Sequence, residues 1–141
     1  MQSELQSVVV HMGAVDASGT PLAFWRAPIK CVINSIHLVT SSAVAAHATD
    51  IHTSTVTNLG SAGSGSTTVA TQTTDSDVSG SAAITAKVPW PLTLSETAAA
   101  LEVAEGDVLQ IAPTEGGTAT SGDLADAAYT ISYYPGAGIG A

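Results

Sequence analysis

The sequence predicts an all-β fold: a single-domain antiparallel β-sandwich, jelly-roll-like, with flexible termini. Three observations carry this. Short runs rich in Thr and Val alternate apolar with polar residues, the pattern of half-buried pleated strands. Gly, Pro, Asn and Asp recur between the runs, so that about seven to nine short strands follow at near-regular spacing. No segment sustains a helical apolar period over helix length, which argues against an α/β enzyme fold.

Each element follows from its residues. The first strand is expected over 5–14, with Val8, Val10 and Met12 on one face. Ser18-Gly19-Thr20-Pro21 breaks the chain before a short strand at 22–26, which precedes Pro28. The clearest alternation comes next: Val32, Asn34, Ile36 and Leu38 on one face, Cys31, Ile33, Ser35, His37 and Val39 on the other. Residues 41–48 read as a loop or one turn. In 50–59, Ile51, Thr53, Thr55, Thr57 and Leu59 share a side; the glycine-rich 60–65 turns the chain, and 66–74 returns as the hairpin partner. Residues 75–87 give no clear element. Pro89-Trp90-Pro91 excludes a central strand, because proline cannot donate to a ladder, and marks an edge or crossover. Short strands at 92–94 and 101–103 flank a polar link, and Gly106-Asp107 turns into a strand at 108–111. The last strand is expected at about 125–134, with Tyr129, Ile131 and Tyr133 on one face. The sandwich is thus placed at 8–134, between an N-terminal arm at 1–7 and a Gly/Ala-rich C-terminal tail at 135–141.

At 141 residues the chain can bury roughly two-thirds of its unfolded surface, enough for a core without metal or disulfides. Charged residues make up 11%, and Ser and Thr, 16 and 18 of them, close to a quarter. Twelve acidic against three basic residues give a net charge of −9. Binding to nucleic acid needs Lys and Arg to displace counterions from phosphates, and only Arg26, Lys30 and Lys87 are present, so no nucleic-acid partner is expected. Attraction to an anionic membrane fails for the same reason. The first residues lack the basic and apolar regions of a signal peptide, and no stretch reaches the ~18 apolar residues of a membrane helix, so synthesis in a cytoplasm is expected. Cys31, the single cysteine, sits in a strand pattern and reads as a buried, inert thiol.

Few motifs carry chemistry. Gly60–Gly65 followed by Ser66-Thr67 has the spacing of a phosphate loop, but serine stands where its lysine belongs and a strand, not a helix, follows; the segment reads as a hairpin turn. Asp75-Ser76-Asp77-Val78-Ser79-Gly80 matches the first half of a calcium loop, yet Ala86 occupies the position of the bidentate carboxylate, leaving at most a weak site on Asp75 and Asp77 and, more simply, a polar turn. His47, Asp50 and His52 could offer two imidazoles and a carboxylate, but they read as solvated loop residues near a strand start. His11 and His37 read as surface or packing residues. No Gly-x-Ser-x-Gly elbow occurs, and Ser, His and Asp are too numerous for a triad drawn from them to mean anything. The expectation is no catalytic site, no cofactor and no metal. Trp25 and Trp90, each near a proline at a strand end, read as core plugs or as anchors of subunit or capsid contact.

The order of features resembles the small jelly-roll decoration (cement, or auxiliary capsid) proteins of tailed bacteriophages. The resemblance runs from Phe24-Trp25-Arg26-Ala27-Pro28 and the strand Cys31–Val39, through Thr53-Ser54-Thr55-Val56-Thr57-Asn58-Leu59-Gly60 and Thr67-Thr68-Val69-Ala70. It continues with Pro91-Leu92-Thr93-Leu94-Ser95 and Leu101–Leu109, and closes at Tyr129-Thr130-Ile131-Ser132-Tyr133. It implies a structural virion protein on the capsid exterior, a homotrimer that bridges subunits of the major capsid protein. A jelly-roll module binding host-surface carbohydrate is the alternative. The tail has no charged side chain and carries Ile139 among Gly and Ala, and at least one terminus, this tail or the N-terminal arm, is expected to order against a neighbouring subunit or the shell.

Overall fold

A computed structural model describes residues 4–15, 21–117 and 123–136. Ten strands form two antiparallel sheets. They are β1 (Gln6–Val15), β2 (Ala23–Arg26), β3 (Cys31–Val39), β4 (Asp50–Asn58), β5 (Thr67–Thr73), β6 (Trp90–Pro91), β7 (Thr93–Leu94), β8 (Glu102–Val103), β9 (Val108–Gly117) and β10 (Leu124–Pro135). One sheet runs β1-β10-β3-β6, with β8 also on β3; the other runs β2-β9-β4-β5-β7. The pairs are nested: β1 with β10, β2 with β9, β3 with β6 and β8, and β4 with β5 innermost. That is the connectivity of a jelly roll, in which one long hairpin is wrapped into two facing sheets. Among the described residues, no helix is long and apolar enough to cross a membrane.

The core lies between the sheets. Cys31, Ile33, Ile36, Leu38, Tyr129, Ile131 and Tyr133 fill it from the first sheet; Val56, Val69, Leu109 and Ile111 answer from the second. Val44 and Ile84, joined by an isolated bridge between the two long connections, cap one side. Cys31 is fully buried as expected, and burial, with the Asp107 carboxylate nearby, pushes its thiol up to about 11.

Strand positions agree closely with the sequence reading, and the differences have local causes. In β3, strict alternation would put Cys31 and Ile33 on the face opposite Ile36 and Leu38, yet all four are buried. A β-bulge is the reason. Ser132 pairs with Ser35 and Tyr133 with Ile33, so Asn34 is an extra, exposed residue that shifts the phase by one. A second bulge, at Val69, lets both Val69 and Ala70 face inward. At the start of β10, Asp126 takes a left-handed φ of 54°, and Thr40 and Ser41 donate to the neighbouring Ala125 carbonyl from their hydroxyls at 2.7 and 3.0 Å.

The 60–65 segment is the expected hairpin turn. The Gly65 amide donates to the Leu59 carbonyl at 2.7 Å, and a Cβ at Gly65 would stand 2.8 Å from the Asn58 carbonyl oxygen, so only glycine fits. At Gly106-Asp107, one Asp107 carboxylate oxygen accepts from the Ala104 amide and the Asn58 side-chain amide, both at 3.0 Å, locking the entry to β9. That strand extends through Pro113 to Gly117, past the expected 108–111, and the polar link before β8 contains a 3-10 turn at Ala98–Leu101. Both ends of the sandwich reach further than 8–134. Gln6 and Ser7 belong to β1, and Pro135 to β10, with the Gly136 amide donating to the Lys30 carbonyl at 2.7 Å. Ile139 and the rest of the tail lie outside the described residues.

Ile131, fully buried in the central strand β10, tests this packing. Ile131→Ala is expected to cost about 2–5 kcal/mol in urea unfolding, whereas Glu96→Ala, on the exposed link, should stay within about 0.5 kcal/mol.

Candidate functional site

The alternation of β4 turns an unexpected face inward. Ile51, Thr53, Thr55 and Thr57 lie on the outer side, half-buried, while Asp50, His52, Ser54 and Val56 point into the sandwich. On the outer side the threonines form a ladder with β5: the Thr53 and Thr73 hydroxyls are 2.9 Å apart and those of Thr55 and Thr71 3.2 Å.

Inside, a buried polar chain crosses the core. The Tyr129 hydroxyl, from β10, lies 2.6 Å from Ser54 Oγ, and Ser54 Oγ lies 2.7 Å from His52 Nε2. All three residues are 0% exposed. Both bonds can run either way: from the Tyr129 O–H through Ser54 to His52 Nε2, with the imidazole proton on Nδ1, or from Nε2–H through Ser54 to the Tyr129 oxygen. Nδ1 has no partner among the described residues, and neither has Oδ1 of buried Asp50. The Trp90 ring packs on the imidazole with centroids 5.7 Å apart, Glu115 stands opposite His52 in the β4–β9 register, and the Thr74 hydroxyl accepts from the His52 amide at 2.9 Å.

The electrostatics follow from burial. A charged imidazole would lose its hydration here, so burial lowers the His52 pKa from 6.5 to about 4. Burial likewise raises Tyr129 to about 12, against a smaller opposing effect of the Ser54 hydrogen bond. A serine beside a histidine is the beginning of a nucleophilic site. This pair, however, is sealed: both side chains lie at 0% exposure, and the serine's other neighbour is a tyrosine that holds it in place. What the arrangement does chemically is satisfy polar groups across the two sheets.

His52 therefore corrects the sequence reading, which placed it with His47 and Asp50 as a solvated loop residue. The three do not converge. His47 is exposed, and its Nδ1 accepts from the amides of Thr49 and Asp50, both at 3.1 Å, while His52 points into the core. Asp75 closes a polar turn, its Oδ1 accepting from the Asp77 amide at 2.9 Å. Among the described residues, no three of His, Cys, Asp and Glu gather so as to hold a metal ion. Of the tryptophans, Trp90 is a core plug, 3% exposed, with Nε1 donating to the Ala82 carbonyl at 3.0 Å; it is buried within the chain and presents no outward anchor. Trp25 is half-buried on β2 and packs on Tyr133, centroids 5.1 Å apart. Sequence reasoning missed Ser54 and paired Tyr129 with nothing. The one available signal was a His-x-Ser step in register within an otherwise Thr-rich strand.

Tyr129→Phe removes the hydroxyl that reaches Ser54 from the opposite sheet. It is expected to cost about 1–3 kcal/mol in urea unfolding, because the buried Ser54 hydroxyl loses a partner. The pH dependence has a definite sign. Between pH 6.5 and about 4 the unfolded chain holds a proton on His52 that the folded one does not, so stability rises with pH through this window and is fully present above it. The loss on acidification is roughly 3 kcal/mol; His52→Gln should lack it, so the difference curve between the parent chain and this variant isolates it.

No family model, curated protein or solved structure matches the chain.

Proposed function

We propose that the chain is a structural virion protein that binds the outer surface of a phage capsid, as a trimer on the shell, and stabilises it by bridging subunits of the major capsid protein. The observation that carries this reading is the division of the molecule into a closed interior and a charge-poor, partly apolar exterior. Among the described residues, the serine–histidine pair at hydrogen-bond distance, Ser54 and His52, is sealed in the core. Meanwhile Phe24 and Leu22, near the edge of one sheet, and Leu5, Val9 and Tyr134, on the other, are 43–55% exposed. Scattered apolar residues are ordinary on a surface, but here they accompany a chain with only 11% charged residues. Such a surface suits wide, uncharged contacts with repeated copies of a shell protein. The resemblance in strand order supplies the identity of that partner. A carbohydrate module would need an exposed aromatic platform, and neither tryptophan provides one: Trp90 is buried and Trp25 is packed on Tyr133.

Binding that favours the assembled shell stabilises it by linkage. Purified protein is therefore expected to add to undecorated heads in a fixed copy ratio and to raise the temperature at which they release DNA. Phe24→Ser, at an exposed site, should weaken this binding without lowering the melting temperature of the free protein. Heads that neither bind the protein nor gain stability would sink the reading, and binding to a glycan array instead would favour the carbohydrate module.

A further inference from the structure

The two sheets have four edges, and three of them are blunted. On one side of the first sheet lie β6 and β8, two residues each, with Pro91 in β6. The second sheet ends in β7, two residues long, and in β2, four residues long and carrying Arg26. Short strands, proline and edge charges are the devices that keep sheets from adding strands. The fourth edge, β1, is the least guarded: ten residues, Gln6–Val15, without proline or a charged side chain other than histidine, its bulges confined to the stretch after His11 so that Gln6–His11 is regular, and with no strand on its outer side among the described residues.

The geometry points to a second copy of the same strand as the occupant of this edge, with β1 pairing antiparallel to β1 about a two-fold axis through Val9. Three features favour a copy over an unrelated chain. First, the strand is self-complementary in that register. Val9 meets its own copy, Val8 meets Val10 and Ser7 meets His11 within the regular stretch, so valine faces valine at its centre. Second, the inward residues Val8, Val10 and Met12 pack against the core yet stay half-buried, since among the described residues no strand covers their outer flank; a second β1 would cover it. Third, two chains of net charge −9 repel, and β1 itself carries no carboxylate, Glu4 lying two residues before its start. The contact is two-fold and so independent of any three-fold arrangement. In free protein it makes dimers, and on a shell it would join neighbouring trimers.

Sedimentation equilibrium of the full chain is expected to show reversible dimerisation that tightens as salt is raised, since salt screens the repulsion between two acidic bodies. Val9 is 50% exposed and outward, so Val9→Lys should leave the melting temperature of the monomer unchanged while raising the dissociation constant at least about tenfold, two lysines meeting on the axis. Val9→Cys should form a covalent dimer under mild oxidation, because each cysteine faces its own copy, whereas Phe24→Cys, on the guarded β2 edge and equally exposed, should not. A parent chain that stays monomeric at every concentration and salt tested overturns the proposal. So does a Val9→Lys chain that associates like the parent, or a Phe24→Cys chain that cross-links as readily as Val9→Cys. If the chain's own tail covered β1, the first of these results would appear.

Discussion

The hydrogen-bonded chain from Tyr129 through Ser54 to His52 is the constraint around which the sandwich is arranged. Apolar packing between two sheets is tolerant of sliding, since one methyl group can replace another at similar cost. A 2.6 Å bond between a tyrosine hydroxyl on one sheet and a serine on the other is not tolerant, because a shift of one residue along either strand would leave buried hydroxyls unpaired. Two aromatic contacts reinforce the same alignment. Trp90 meets His52 near one end of the sandwich, and Trp25 meets Tyr133 toward the other, each pairing residues from opposite sheets. The few large rings of an Ala- and Thr-rich chain are thus spent mostly between the layers.

Much of the fold was legible because strand and turn chemistry act locally. Thr/Val alternation, the Gly60–Gly65 turn, the proline-bounded Trp90 and the Gly106-Asp107 turn all mark the right places. What sequence could not show was phase. The bulge at Asn34 brings Cys31, Ile33, Ile36 and Leu38 to one face, and the need for it lies in the partner strand, where Ser132 and Tyr133 are adjacent. The inward face of β4 was hidden for a related reason. Hydrophobicity alone favours the side of Ile51 and Leu59, yet Asp50, His52 and Ser54 turn inward because groups remote in sequence, Tyr129 and Trp90, meet two of them there. A polar residue becomes a core residue only when its partner is supplied from elsewhere.

The interior and the rim treat backbone polarity in opposite ways. Inside, burial keeps His52 neutral, so this polar side chain enters the core without charge. At the rim, the sheets end mostly in strands too short to recruit a neighbour. The exception at β1 stands beside β10, the strand that also carries Tyr129, so the open edge and the cross-sheet bond share one strand.

The nested pairing has a consequence for how the chain reaches this state. β10 is the inner neighbour of both β1 and β3, and its pairing with β1 joins residues as far apart as Gln6 and Tyr133. During synthesis the first strands must wait until nearly the whole chain has emerged before they find their place. Closure over such sequence distances is slow, because loop entropy is lost before contacts repay it. For that interval the valine run of β1 is exposed to other nascent chains. The net charge of −9 opposes such encounters, and the lifetime of the open form sets how long that repulsion must hold.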